Sequence, residues 1–136
     1  MGYRFTKDNM SLALDKFGVG YSSPVYTGIC NMTGFFASRK NQHYGYAALS
    51  DNNSLIIADY NLLITETLYE IPLLSIRSIK VSKMPIAGTY TVKIEFLYEG
   101  KKMRFVLTIP PKVFGSDFDE QRDNAERLIN ELKSYA

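Results

Sequence analysis

The sequence predicts one mainly β domain with flanking helices: a seven-stranded antiparallel barrel or orthogonal sandwich, capped by a C-terminal helix and preceded by a short extra N-terminal helix. Its 136 residues suit a single domain over 1–136. The ten tyrosines and many β-branched residues favour strands. Short runs of alternating apolar and polar residues, separated by turn residues, fill 24–110, whereas helical periodicity is confined to the two ends of the chain.

A helix is expected at 8–17. Asp8 can cap its first turn, because aspartate accepts hydrogen bonds from the free backbone N–H groups there. The apolar residues of this segment recur at the spacing of one helix face, and they are Met10, Ala13, Leu14 and Phe17.

The first strand is expected within "SPVYTGICNM" (23–32). Asp51, Asn52 and Asn53 form a turn, because Asn and Asp tolerate positive φ, and this turn separates strands at 44–50 and 54–60. A further strand at 67–72 ends at Pro72, since proline cannot donate to a strand ladder.

After Pro72, we expect one helical turn at 74–79, because Ile76 and Ile79 are three positions apart. A strand follows at 79–84. The segment 79–90 contains Pro85 and Gly88 and is the expected exposed edge of the sheet.

The clearest prediction is a hairpin over 90–109. Two alternating runs flank Glu99 and Gly100, a short turn that contains glycine. The second run ends at Pro110 and Pro111, which cannot continue a ladder. A helix at 116–135 then presents one apolar face, formed by Ala125, Leu128, Ile129 and Leu132.

Composition excludes several classes of protein. The formal net charge of +2 is too small for a general nucleic-acid binder. Cys30 is the single cysteine, so no internal disulfide can form, which fits a reducing compartment. No apolar run is long enough for the core of a signal peptide or for a membrane span. We therefore expect a cytoplasmic protein.

Two stretches carry a family resemblance: "YGYAALSDNNSLIIADY" (44–60) and "YEIPLLSIRSIKV" (69–81). In the first stretch, a strand ends in a small turn that is followed by Leu-Ile-Ile. The second stretch contains the tripeptide Ile-Pro-Leu, followed by two isoleucines three positions apart. In this order they resemble bacterial pleckstrin-homology-like (PH-like) domains of the GRAM type. The resemblance spans 24–136 and implies the barrel with its terminal helix. The matching residues are Leu49, Ser50, Asp51, Leu55, Ile56, Ile57, Ile71, Pro72, Leu73, Ile76 and Ile79.

Catalytic patterns are scarce, and we expect no enzyme, no cofactor and no metal site. Cys30 and His43 could pair as nucleophile and base, but a cysteine packed in a strand and a histidine in a loop explain both residues more simply. A small-ligand barrel or an enzyme would need Cys30 or His43 to line a deep pocket. The acidic residues in the first part of the last helix resemble acid–base groups, but they are better explained as N-terminal helix charge, and Ser116 or Asp117 can cap that helix. They are Asp117, Asp119, Glu120 and Asp123.

The resemblance also implies where a ligand would bind. In PH domains, basic residues of the first interstrand loop and of neighbouring loops grip inositol phosphates. The matching positions here are Arg39, Lys40 and His43, with Lys101 and Lys102 from the last hairpin. These residues would bind anionic lipid or phosphate headgroups and hold the protein at the periphery of a membrane.

The first expectation, however, is a non-catalytic interaction module. PH-like barrels expose a groove between the terminal helix and a sheet edge, to which extended peptides can add. The expected partner is another protein or a second copy of the chain. Nucleic acid is not expected as a partner.

Overall fold

The computed structural model describes residues 5–32, 42–61, 65–113 and 117–135. Within these residues the chain forms two α-helices, seven β-strands and one turn of 3-10 helix, Leu73–Ser75. The helices are α1 (Lys7–Asp15) and α2 (Gln121–Lys133). The strands are β1 (Tyr21–Asn31), β2 (His43–Ser50), β3 (Ser54–Asn61), β4 (Thr65–Pro72), β5 (Ile76–Lys83), β6 (Tyr90–Tyr98) and β7 (Lys101–Ile109).

All seven strands belong to one antiparallel sheet, in the order β4-β3-β2-β1-β7-β6-β5. This confirms the prediction of a mainly β chain with two flanking helices. β4 and β5 are the two edges of the sheet, and no pairing joins them among the described residues. The sheet is therefore not closed, and of the predicted barrel or orthogonal sandwich, the barrel is not shown.

The sheet folds over so that its two halves share one core. Tyr69 of β4 contacts Phe105 of β7 and Tyr98 of β6, with ring centroids 5.1 and 5.8 Å apart respectively. Leu128 and Leu132 of α2 are fully buried in the same apolar cluster, so the predicted apolar face of the terminal helix does pack on the sheet. We call the side of the sheet that lines this core the inner face.

The opposite face of β2 and β3 is covered as well. Tyr46 and Ile56 are fully buried there, against Leu14 of α1 and Phe118 before α2. Both faces of these two strands are therefore apolar, and helix α1 is part of the fold.

α1 begins one residue earlier and ends two residues earlier than predicted. Its cap is Thr6, whose Oγ1 accepts a hydrogen bond from the backbone N–H of Asn9 at 3.1 Å. Asp117 also serves α1, because its carboxylate accepts from the backbone N–H of Lys7 at 2.8 Å. Asp117, which suggested a start of α2 near 116, thus stabilises the other helix, whereas α2 begins at Gln121 and has Asp123 in its first turn, as expected.

The predicted helical turn at 74–79 is wrong in position. The 3-10 turn ends at Ser75, and Ile76 already begins β5. A bulge between Ile76 and Ser78 inserts one extra residue, so Ile76 and Ile79 both pack against the core although they are three positions apart. The bulge therefore produces the same three-residue spacing of apolar residues as a helical turn.

Candidate functional site

The predicted basic site is only partly described. Arg39 and Lys40 lie outside the described residues. His43 begins β2, and its Nδ1 lies 3.1 Å from a carboxylate oxygen of Asp59 on β3. Asp59 is buried. Burial raises the pKa of this carboxyl group, and the hydrogen bond and charge of His43 oppose the shift. A buried carboxylate beside His43 disfavours an anion at this end of the sheet.

Lys101 and Lys102 are exposed at the start of β7, and the structure does not place them on one face. Successive strand residues point to opposite faces. Lys102 lies on the outer face, with its Nζ 3.8 Å from Glu95, and Arg104 lies 3.4 Å from the same carboxylate. Lys101 points to the other side. Binding of anionic lipid through these residues stays a prediction.

Cys30 and His43 are not assembled into a nucleophile–base pair. Ile29 is paired directly with His43, so the side chains of these two residues share a face, while Cys30 points to the other face. Cys30 is buried, with its Sγ 3.4 Å from the Sδ of Met32.

Two of the acidic residues before α2, Asp117 and Asp119, contact α1. Asp119 forms an ion pair with the Nζ of Lys7 at 3.1 Å, and the hydrogen bond from Lys7 lowers the pKa of the Asp119 carboxyl group.

Across 5–32, 42–61, 65–113 and 117–135, no three His, Cys, Asp or Glu side chains are grouped in a way that could hold a metal ion. In the same ranges, neither helix has the length and apolar character to cross a membrane.

The most distinctive surface is the edge strand β5. Its inward-facing row is only half-buried, in contrast to the inward row of the neighbouring strand β6, where Val92, Ile94 and Phe96 are fully buried. The cause is geometric, because β5 has a neighbouring strand on one side only. The half-buried row is Ile76, Ile79 and Val81.

Exposed apolar side chains lie at both ends of β5. Leu74, just before the strand, is 92% exposed, and Ile86, just after it, is fully exposed. Met84 is also exposed. A soluble surface normally scatters such residues singly, whereas here three of them bracket one open strand. We call β5 together with Leu74, Met84 and Ile86 the β5 edge.

Helix α2 provides a wall beside the β5 edge. A hollow of about 300 Å³ lies between the β5–β6 turn and the first half of α2. Its lining includes Lys83, Ile86 and Tyr90 on the sheet side and Arg122 and Glu126 on the helix. Lys83 lies over the ring of Tyr90, 5.2 Å from its centroid.

A second hollow, of about 620 Å³, lies on another side of α2. Its lining is mostly hydroxyl and amide groups from the start of β1, the β2–β3 turn and the end of α2. No residue of β5 lines this second hollow, and neither do Leu74, Met84 or Ile86, so it forms no part of the β5 edge.

Sequence reasoning anticipated an edge over 79–90 but missed its apolar character. Isoleucine and valine at alternate positions predict burial in any strand. Their partial exposure follows only from the order of the strands, which puts β5 at the end of the sheet.

Comparisons with protein-family models, with curated proteins and with solved structures found no match to this chain.

Proposed function

We propose that the chain is a non-catalytic PH-like binding module that captures an extended segment of a partner protein along the β5 edge. The PH-like assignment has two supports: the residue pattern of 44–60 and 69–81, and the succession of seven antiparallel strands followed by a terminal helix. The binding proposal has a separate, local support.

The observation that carries the binding proposal is the half-buried apolar row of β5. A strand added beside β5 would cover Ile79 and Val81 from the open side, as β6 covers them from the other. Burying apolar surface contributes about 25 cal/mol per Å². The open backbone N–H and C=O groups of an edge strand supply hydrogen bonds along the added segment.

Helix α2 gives the β5 edge a means to select among bound segments. The hollow beside Ile86 and Tyr90 can take a side chain of the bound segment, and Arg122 and Glu126 in its lining offer polar contacts. Main-chain bonds then provide affinity, and the hollow provides selection among side chains.

The test begins with selection of binders from a displayed library of short random peptides. A selected peptide is titrated into the isotopically labelled protein, and amide shifts are mapped. We expect the largest shifts, and new protection from hydrogen exchange, along 76–83 and on the first half of α2. Shifts confined to other surfaces, or no selected peptide at all, would contradict the proposal.

Variants make the test specific. Ile86→Ser and Leu74→Ser should weaken peptide binding without loss of stability, because both side chains are exposed in the free protein. Leu12→Ser is the matched control, since Leu12 is an exposed leucine on α1. Equal weakening by Leu12→Ser would argue against a site at β5.

A further inference from the structure

Two lysines face each other on the outer side of the β5 edge. Lys80 of β5 is directly opposite Lys93 of β6 in the strand register. Like charges at directly opposed positions of a sheet are destabilising. Both side chains are exposed, and neither has an ion pair with any acidic group among the described residues.

The nearest acidic residue along β6 is already engaged. Glu95 follows two positions after Lys93 and so shares its face. Its carboxylate lies 3.4 Å from the Nε of Arg104 and 3.8 Å from the Nζ of Lys102. The outer surface of β5 and β6 therefore keeps an uncompensated pair of positive charges at the strand that is open to a partner.

We infer that the segment captured at the β5 edge is acidic and alternating, with Asp or Glu at its outward positions and apolar residues at its inward positions. This inference rests on the proposed function. In an added strand, outward side chains lie beside Lys80, where a carboxylate offsets the opposed lysines. Inward side chains lie beside Ile79 and Val81, where only apolar residues are buried without cost.

Two other occupants fit this surface less well, for different reasons. Pairing of β5 with β5 of a second copy would bring both copies of Arg77, Lys80 and Lys83 into one short ribbon, and edge lysines are a known defence against such pairing. Single-stranded nucleic acid needs aromatic side chains for base stacking. The outward residues of β6 offer none, since they are Thr91, Lys93, Glu95 and Leu97.

The test uses three short synthetic peptides on the full chain. The first has apolar residues at alternate positions and Glu between them, the second has Lys in place of each Glu, and the third has the composition of the first in scrambled order. Binding is measured by fluorescence anisotropy at low and moderate salt, and the binding surface is mapped by amide shifts.

We expect the alternating Glu peptide to bind at 76–83 about tenfold more tightly than the Lys peptide, the effect of a few opposite-charge cross-strand pairs. The preference should shrink as salt rises. The double substitution Lys80→Glu and Lys93→Glu should reverse it. Lys101→Glu is the control, because Lys101 is an exposed lysine on β7, which β6 separates from β5.

The outcomes separate this inference from the proposed function. Equal binding of the Glu and Lys peptides at 76–83 overturns the acidic preference and leaves the β5 edge as the binding site. Binding of the scrambled peptide as tightly as the alternating one reduces the effect to bulk charge and overturns the inference. Binding of none of the three at 76–83 overturns the inference and contradicts the proposed function as well.

Discussion

The pKa of the buried Asp59 carboxyl group depends on its burial and on its neighbour His43. Asp59 is buried beside the core, and the Nδ1 of His43 lies within hydrogen-bond distance of both of its carboxylate oxygens, at 3.1 and 3.2 Å. Burial raises the pKa of Asp59 above that of the unfolded chain despite the opposing effect of His43. The folded state therefore binds this proton more tightly than the unfolded state does.

This shift sets the sign of a pH effect. A carboxyl group with a raised pKa contributes stability that is present below its unfolded pKa, about 4, and lost as the pH rises through its folded pKa. We predict that the free energy of unfolding of the wild type, relative to that of Asp59→Asn, falls as the pH rises from below about 4 towards neutrality. Denaturant unfolding of both proteins across this range measures the difference. Asp8→Asn, at an exposed position on α1, is the control. A relative stability that rises with pH would contradict the assignment.

The sequence could not predict how the side chains of the proposed basic site are arranged. Sequence order placed Lys101 and Lys102 together as two adjacent cations. Strand geometry separates them, because neighbours in a strand face opposite sides. The partner of His43 could not be read from the sequence either, since Asp59 meets it only through the register of β2 with β3.

At the scale of elements, the β6–β7 hairpin was predicted almost residue for residue. Its two alternating runs leave one register in which both apolar rows face the core. Its turn contains one residue that is poorly suited to its conformation. Glu99 and Gly100 have φ of 51° and 79°, and this pair of positive values between paired strand ends is a type I′ turn, which favours Asn before Gly.

We therefore predict that Glu99→Asn stabilises the protein by about 0.5–1 kcal/mol, because Asn adopts positive φ at lower cost than Glu. The measurement is the shift in the midpoint of denaturant unfolding. Glu99→Gln removes the charge without this conformational preference and should give a smaller change. If Glu99→Gln stabilises as much as Glu99→Asn, relief of charge and not backbone conformation would be the cause.

Other elements were less predictable, for identifiable reasons. The start of β5 was missed because a bulge changed the spacing of its inward residues from two to three. The start of α2 was placed too early because Asp117 looked like a cap of the nearest helix, whereas it bonds to the start of α1, far away in sequence. In both cases the deciding contact is not local.

On the scale of the whole molecule, β2 and β3 join two apolar clusters into one structure. The inner cluster contains Leu128 of α2, and the outer cluster contains Leu14 of α1; both side chains are fully buried. Because both clusters share the same two strands, neither can come apart without exposing one face of β2 and β3.

We predict that Leu14→Ala and Leu128→Ala each lower the free energy of unfolding by about 2–5 kcal/mol, the usual cost of such a cavity. Each variant should keep a single cooperative transition. Calorimetry and circular dichroism, recorded on the same samples, test this. Leu12→Ala on α1 is the matched control, because Leu12 is exposed. Two separate transitions in Leu14→Ala would show that α1 and the outer cluster unfold independently.

The central position of β1 in the sheet has a kinetic consequence. Its neighbour on one side, β2, follows it closely in the chain, but its neighbour on the other side, β7, is the last of the described strands to be synthesised, with Gly28 paired to Thr108. Closing so long a loop is slow, since its entropy is lost before the contacts form. During synthesis, one side of β1 therefore stays unpaired until β7 has been made. We therefore expect the pairing of β1 with β7, in the middle of the finished sheet, to form last among the pairings of the described strands.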